Sequence, residues 1–407
     1  MLTGIHVYNY RVLKDVRLGV LRDDLKTIGE KAWYPLEDIA VFVGENRSGK
    51  SSLIEALVFL RQTITQGLKS KERRRKTLTE YRTFGVSEAP AFELSFTAPG
   101  LRALLFYRLE LADAGGEAVI KAESLEKVPL TPEMIEALDR IELRPSEEGE
   151  AAEFSFRRTS EGRLFTKNGL SETLYPPDLS VLSDDALNRA LPEVSFVRNF
   201  FEEMCFLHMP AKEEDAGSIV CKYSDAFGTD SPARTAFLRQ VLEKLSSEEA
   251  DSYQYLSKNL KKALNLGREG DILRWLKRLT DAEKKLAVIL LFLFSPEPCS
   301  LLVVENPDYG LFPDKVDILA RELRNYVLKN PNVQVFMTTS HMNLLESAAP
   351  QEVWTFRSER ERDDAALRGP EDVPDIHVKA AASDPLICAM YAEGVGLGTL
   401  LYGGYLA

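Results

Sequence analysis

Residues 44–51 read GENRSGKS, a full match to the pattern G-x-x-x-x-G-K-[S/T]. An apolar run at 39–43 comes directly before this segment, and residues 52–57 after it have apolar side chains at helical spacing. The order strand, glycine-rich loop, helix is the context in which this pattern binds a nucleoside triphosphate. The segment 44–51 therefore predicts a phosphate-binding loop, the P-loop, with ATP as its ligand.

Each residue type in the P-loop has a chemical reason. Gly44 and Gly49 allow backbone turns closed to most residues, so that N–H groups point at phosphate oxygens beside a helix N-terminus. Lys50 should reach the β and γ phosphates, and the Ser51 hydroxyl should ligate Mg²⁺. The alternative is a chance glycine-rich turn. The residues expected to contact ATP are Gly44, Glu45, Asn46, Arg47, Ser48, Gly49, Lys50, Ser51 and Ser52.

The composition is typical of a soluble globular protein, with 44% hydrophobic and 28% charged residues in a chain of 407. A net charge of −12 argues against a general nucleic-acid coat, because phosphate binding needs lysine and arginine gathered on one face. The local exception is the segment Lys69–Lys76, which has six basic residues in eight. It predicts either a solvated loop or a contact with nucleic acid or an acidic partner.

Cysteine spacing and hydropathy indicate the compartment. The four cysteines lie far apart without a C-x-x-C pair, so neither a zinc site nor a disulfide framework is indicated. No apolar run approaches the ~18 residues that span a bilayer. The first residues also lack the basic and apolar regions of a signal peptide. We therefore expect a cytoplasmic protein with reduced thiols and no membrane segment.

Hydrophobic periodicity predicts an α/β fold with an added antiparallel sheet. Period-two alternation in residues 1–20, 91–123 and 154–166 predicts strands joined by tight turns, among them a hairpin turn at 113–117. Residues from about 125 to 265 are polar and often helical in pattern. The last third returns to alternating helices and strands. Its predicted elements are helix 284–294, strand 301–304, helix 314–328, strand 333–337 and strand 353–356.

A P-loop needs an acidic partner that holds the metal ion. The buried-strand run 301–304 ends at such a residue, Glu305. We expect this strand to be the spatial neighbour of strand 39–43, although the two are remote in sequence. Ser51 and Glu305 are therefore the predicted metal-binding residues. An ordinary strand-to-turn exit is the alternative, because asparagine, proline and aspartate follow.

The motifs taken together resemble the ABC-type ATPase heads of the SMC, RecF and OLD class. The P-loop is followed by a long insertion and then by segments 279–285, 301–313 and 337–341 in the order found in such heads. More narrowly, the chain looks like the OLD-like AAA-type ATPases of prokaryotic anti-phage defence systems. The resemblance implies an ABC-ATPase-like P-loop head that forms dimers or higher homo-oligomers around ATP and Mg²⁺ and controls a separately encoded effector.

The resemblance also implies a division of the chain into domains. Residues 1–125 and 265–382 would form one discontinuous ATPase head, with 126–264 as a mainly helical insertion and 383–407 as a C-terminal docking tail. Residues 394–407, at the end of this tail, are apolar and rich in glycine, and they pack either against their own core or against another subunit. About fifty residues beyond 357 are too few for the nuclease-like domain of some OLD-class chains. We therefore expect no effector within this chain.

Family roles can be transferred to matching positions. Thr280, Asp281 and Ala282 resemble the signature motif, which in such heads faces the γ-phosphate bound by a second subunit. Residues 303–308 resemble the Walker B segment, with a D-loop near 309–313. The switch position that senses the γ-phosphate resembles His341 or the adjacent Ser340.

Two departures from the family pattern affect catalysis. The metal-associated aspartate is Glu305 here, and the catalytic glutamate is Asn306. An amide can position water through hydrogen bonds, yet it cannot accept a proton at neutral pH. Losing a general base typically costs ~10² to 10⁴ in rate, so ATP hydrolysis should be slow. Asp308 is the nearest substitute base, and His341 completes the set of candidate catalytic residues.

Three functional hypotheses remain open at this point. The first is a slow ATPase head that dimerises around ATP and controls an effector. The second is a RecF-like or SMC-like DNA-binding ATPase of repair or chromosome maintenance, using the basic segment Lys69–Lys76. The third is an active ATPase with Asp308 as its base. Tyr10 and Arg11 are candidates to flank the nucleotide base or ribose, with a sheet-edge role as the alternative.

Overall fold

The computed structural model describes residues 1–68, 78–140, 143–147, 150–167, 169–208, 242–243, 246–247, 250–264, 266, 275, 278–294, 299–359 and 375–406. The basic segment Lys69–Lys76 and Cys221 lie outside the described residues. Cys205, Cys299 and Cys388 are free thiols. The described residues form two β-sheets and several helices, which confirms the predicted α/β class.

The larger sheet is antiparallel and has eight strands, in the order β2-β1-β4-β5-β6-β7-β8-β9. These strands are β1 Leu2–Tyr10, β2 Leu13–Gly19, β4 Ala91–Ala98, β5 Ala103–Ala114, β6 Glu117–Pro129, β7 Glu153–Arg158, β8 Arg163–Thr166 and β9 Gly169–Leu174. The predicted hairpin turn at 113–117 forms between β5 and β6, where Asp113 accepts a hydrogen bond from the Gly116 N–H at 2.8 Å. Period-two alternation and turn chemistry therefore predicted the strands of this sheet except β9, which the sequence reasoning missed.

The second sheet has six strands in the order β10-β11-β12-β3-β13-β14. They are β3 Ile39–Gly44, β10 Cys205–His208, β11 Leu301–Glu305, β12 Gln334–Thr339, β13 Val353–Glu359 and β14 Asp375–Ala380. All pairings are parallel except that of β14 with β13. The expectation that the strand of Glu305 neighbours the P-loop strand was wrong, because β12 lies between β11 and β3.

The helices follow the predicted periodicity in the last third of the chain. The described helices are α1 Lys50–Gln66, α2 Leu78–Tyr81, α3 Pro132–Ala137, α4 Asp185–Ala190, α5 Pro192–Glu202, α6 Ala250–Ala263, α7 Asp281–Leu293, α8 Pro313–Lys329, α9 Met342–Leu345, α10 Pro385–Ala392 and α11 Leu397–Tyr402. Within the described part of the chain, the helices are all too short or too polar to cross a bilayer.

Strand β3 is buried on both faces, which explains its unbroken apolar sequence. Ala40 and Phe42 belong to a core that includes the inner face of the antiparallel sheet and helix α1. Val41 and Val43 belong to a second core with residues of α7 and α8. The P-loop is therefore held between two cores at the carboxyl edge of the parallel strands.

The domain division remains a prediction, although the structure adds detail to it. Strands β7 to β9, within the interval 126–264, extend the antiparallel sheet instead of joining a helical insertion. In the tail 383–407, Leu397, Leu400 and Leu406 are buried in the second core. This packing supports contact of the tail with its own core. Tyr402 nevertheless remains 85% exposed.

Candidate functional site

The two motif glycines are required by the space around the P-loop. A Cβ atom on Gly44 would lie 2.2 Å from the Phe356 carbonyl oxygen. Gly49 has a φ of +94°, and its Cβ would lie 2.6 Å from Cδ1 of Ile376. A side chain at position 44 would therefore collide with the backbone of β13. A side chain at position 49 would collide with Ile376 at the start of β14.

Helix α1 begins at the end of the P-loop, and the N–H groups of its first turn have no acceptor within the helix. The first intrahelical bond of this turn runs from the Leu53 N–H to the Gly49 carbonyl oxygen, at 3.0 Å. The N–H groups of Lys50, Ser51 and Ser52 precede it and are left for a ligand. A helix N-terminus of this kind favours an anion, so the loop fits a phosphate group.

Lys50 lies across the P-loop. Its Nζ atom donates to the carbonyl oxygens of Gly44 at 2.6 Å and Glu45 at 2.7 Å, and to Oγ of Ser48 at 3.2 Å. Burial lowers the pKa of Lys50 to about 8, against the opposing effect of Glu305 and Glu45. In the described part of the chain, the three hydrogen-bond acceptors of the ammonium group are all uncharged oxygens, so phosphate oxygens would supply an anionic partner.

Ser51 and Glu305 meet at the carboxyl edge of the sheet. The Ser51 hydroxyl donates to Oε1 of Glu305, although strand β12 separates their elements. The contact is possible because α1 starts over the ends of the parallel strands. A hydroxyl and a carboxylate are oxygen ligands of the kind Mg²⁺ prefers, so the pair fits this ion. The described residues contain no cluster of three His, Cys, Asp or Glu that could hold a metal, so phosphate and water would complete the shell.

Asn306 directly follows Glu305 and has a left-handed backbone, with a φ of +47°. Its N–H lies 3.1 Å from the Thr338 carbonyl oxygen and 3.0 Å from Oγ1 of Thr338, and donates to both. Asparagine tolerates this conformation better than most residues. The left-handed backbone therefore explains an asparagine at position 306 without reference to catalysis.

Asp308 is only 4% exposed and contacts the end of β12. Its Oδ2 atom accepts from the Thr339 hydroxyl at 2.6 Å, and Oδ1 finds no hydrogen-bond partner among the described residues. Thr339 Oγ1 in turn accepts from the His341 N–H at 2.9 Å. Burial raises the pKa of Asp308, partly offset by the hydrogen bond from Thr339. The structure thus brings Asp308 together with the switch candidate His341.

The predicted signature segment begins helix α7. The Thr280 N–H donates to Oε2 of Glu283 at 2.9 Å, and the Glu283 N–H donates to Thr280 Oγ1 at 3.3 Å. This reciprocal pair is a capping box, which by itself accounts for threonine and glutamate at this spacing. A Cβ on Gly310 would lie 3.8 Å from that of Ala282. The segment therefore lies beside the predicted D-loop, and its role in binding ATP remains a prediction.

Tyr10 does not have the position of a residue that flanks a nucleotide base. Its side chain is 2% exposed, with ring centroids of Phe59 and Phe92 each 5.5 Å away. It belongs to the core between α1 and the antiparallel sheet and cannot flank a nucleotide base. Arg11 forms an ion pair with Glu55 of α1.

Sequence reasoning missed the two threonines that organise this edge. Thr338 accepts the N–H of Asn306, and Thr339 joins Asp308 to His341. A signal was present, because two hydroxyl residues follow the apolar run 335–337. Only the pairing of β12 between β11 and β3 shows which residues they contact.

Several solved structures are similar to this chain at low sequence identity. No family model and no curated protein sequence matches the chain. Similar solved structures include an SMC head domain from Thermotoga maritima, with 12% identity and a TM-score of 0.41 over 88% of this chain and 95% of that one. Another is an SMC head bound to the C-terminal winged-helix domain of ScpA, with 10% identity and a TM-score of 0.45 over 93% and 97%.

A third similar structure is an SMC head with an extended coiled coil, bound to the C-terminal domain of ScpA derived from Pyrococcus furiosus. It shares 10% identity and has a TM-score of 0.41, over 96% of this chain and 99% of that one. The fold described above follows from the strand order and the P-loop geometry, and these low similarities add no argument to it.

Proposed function

We propose that this chain is an ATP-binding ABC-type ATPase head that pairs with a second copy around ATP and Mg²⁺ and hydrolyses ATP slowly. The observation that carries the proposal is the convergence of Lys50, Ser51 and Glu305 at the start of α1. It combines a cation whose hydrogen-bond acceptors among the described residues are uncharged, an anion-binding helix N-terminus and a hydroxyl–carboxylate pair suited to Mg²⁺.

Each residue has a role in this proposal. The N–H groups of residues 50–52 and the Lys50 ammonium hold the phosphates, and Ser51 with Glu305 holds the ion. Bound Mg·ATP supplies the phosphoanhydride bond to be broken. Asn306 orients water by hydrogen bonds but accepts no proton from it, so the proton would pass to a phosphate oxygen or to solvent, and turnover is ~10² to 10⁴ slower than with a glutamate. Asp308 as a substitute base is the competing prediction.

Exposed apolar side chains beside the site support pairing with a second copy. Phe312 is 76% exposed and Tyr309 41%, both in the segment after Glu305, and Met342 next to His341 is 46% exposed. Apolar residues gathered beside a binding site are typical of an interaction surface. A second copy that shares the bound ATP would cover this surface, so ATP should promote dimerisation.

Control of a separately encoded effector, in an OLD-like anti-phage role, is the finer part of the proposal. It depends on the sequence resemblance alone. A cytoplasmic location is proposed on a different basis, the spacing of the cysteines and the free thiols described above. The mass of the complex isolated with and without ATP would show whether an effector is bound.

The central experiment compares Lys50→Ala with Lys26→Ala. Lys26 is the control because it is exposed and, among the described residues, pairs with Asp23 at 2.7 Å. We expect Lys50→Ala to weaken the binding of a fluorescent ATP analogue at least a hundredfold and to abolish any ATP-dependent increase in mass by light scattering. Lys26→Ala should behave as wild type. Tight ATP binding by Lys50→Ala would contradict the proposal.

The DNA-binding alternative depends on the basic segment Lys69–Lys76. Its test is the salt dependence of DNA binding by the wild type and by a variant with reversed charges in that segment. Each phosphate contact contributes about one unit to the slope of log affinity against log salt. A steep slope that disappears on charge reversal would favour a RecF-like or SMC-like role.

A further inference from the structure

Asp308 is placed to hold a turn of the backbone. Its Oδ2 atom accepts the Thr339 hydroxyl at 2.6 Å, and the same hydroxyl oxygen accepts the His341 N–H at 2.9 Å. The hydroxyl has one hydrogen, and the alternative acceptor, the His341 carbonyl oxygen, is farther away at 3.4 Å. The three residues therefore form a directed chain from the carboxylate to the N–H of His341.

The environment of Asp308 does not suit a general base. A base must have an oxygen within reach of the water from which it takes a proton. Both oxygens of this nearly buried side chain face protein, one bonded to Thr339 and the other without a partner among the described residues. A buried carboxylate of this kind is costly unless it has a structural task.

The turn that Asp308 holds joins the phosphate edge to the C-terminal helices. Thr339 pairs with Val43, the residue before the P-loop. On its other side, His341 leads into helix α9, whose C-cap Glu346 accepts from Thr399 of α11 at 2.9 Å. A Cβ on Gly398 would lie 2.3 Å from the Met342 carbonyl oxygen, so α11 packs directly on the residue after the turn.

We propose that Asp308 is a positioning residue, which acts through Thr339 to hold the His341 turn and to link it to helices α9 and α11. His341 then keeps a fixed place at the edge where the phosphates bind. The role of His341 beside the phosphates rests on the proposed function. Its geometric part holds without any nucleotide.

The first test is amide hydrogen exchange of residues 339–346 and 396–402 without nucleotide. Removing one net hydrogen bond should speed local exchange about tenfold. We expect this acceleration in Asp308→Ala and Thr339→Val, with a smaller change spreading to 396–402. Asp308→Asn keeps an oxygen acceptor for the hydroxyl and should stay within about threefold of wild type. Unchanged exchange at His341 in both Asp308→Ala and Thr339→Val would overturn the proposal.

Thr355→Val is the matched control. Thr355 also pairs with Val43, from the opposite side, and its hydroxyl donates to the Lys379 carbonyl oxygen at 3.3 Å. It is a buried threonine at the same level of the sheet, so its loss should leave exchange at His341 unchanged. Thr339→Val keeps the side-chain shape and tests the proposal even if Asp308→Ala does not fold.

The second test separates positioning from base catalysis. If Asp308 is a positioning residue, Asp308→Asn should keep kcat within about threefold of the wild-type value. Asp308→Ala should lower kcat and leave KM nearly unchanged. If Asp308 is a base, both variants should lose the same ~10² to 10⁴ in kcat, because neither an amide nor an alanine accepts a proton. Equal loss in both would overturn the proposal. Failure of the chain to bind ATP would refute the proposed function only, since the exchange test needs no ligand.

Discussion

Replacing Gly49 by alanine tests whether the space around the P-loop requires glycine. The left-handed backbone, φ +94°, costs an alanine about 1–2 kcal/mol. Its Cβ would also lie 2.6 Å from Ile376 Cδ1 and 3.0 Å from Leu13 Cδ2, an overlap that costs about 1–3 kcal/mol to relieve. We therefore expect Gly49→Ala to lower the free energy of unfolding by about 2–5 kcal/mol.

The matched control is Gly85→Ala. Gly85 also has a positive φ, +73°, but a Cβ there would meet nothing within 4 Å among the described residues. Gly85→Ala should therefore lower the free energy of unfolding only by the cost of the backbone conformation, about 1–2 kcal/mol. The difference between the two variants measures crowding by Ile376 and Leu13.

A double-mutant cycle tests the crowding directly. Ile376→Val removes Cδ1, the atom nearest the new methyl group, and by itself costs about 0.5–1.5 kcal/mol. Added to Gly49→Ala, it should recover stability, with a coupling energy of at least about 1 kcal/mol. The assays are chemical denaturation followed by tryptophan fluorescence, and ATP-analogue binding. Equal losses for Gly49→Ala and Gly85→Ala, or no recovery in the double variant, would refute the reasoning.

Three further predictions concern charge and catalysis. ATP binding should weaken by up to about tenfold per pH unit between pH 8 and about 10.5, because phosphates restore the charge of Lys50, whose pKa is lowered to about 8 in the free protein. Calorimetry at pH 9 in two buffers should show proton uptake, and Lys50→Met should show none. Asn306→Glu should raise ATP turnover at a cost of about 1 kcal/mol in stability from the φ of +47°. Asn306→Gln has the same backbone cost without a base, so equal turnover in the two variants would contradict the role assigned to Asn306. Glu123→Ala should lower stability by about 3 kcal/mol, because Tyr107, Ser180 and the Val181 N–H lose their buried acceptor. Burial raises the pKa of Glu123, so its contribution to wild-type stability should fall as pH rises above the ordinary glutamate range, and Glu123→Gln should lose that pH dependence in denaturation experiments.

Local chemistry in the sequence determined most elements of the fold. Glycines at 44 and 49, an apolar run before them and a helical pattern after them predicted strand, P-loop and helix. Period-two alternation with the turn at 113–117 predicted the β5–β6 hairpin. These features depend on the backbone conformation of neighbouring residues and on hydrogen bonds between strands joined by short turns, so they can be read from short segments.

Only the tertiary structure decided the arrangement of the site. The sequence predicted that Glu305 meets Ser51, but the expected adjacency of their strands was wrong, because β12 enters between β11 and β3. The same insertion places Thr339 against Asp308 and Thr338 against Asn306. The short strand β10 and the edge strand β14 were missed as well. Strand order depends on which apolar faces pack against each other over hundreds of residues, and no local pattern encodes that choice.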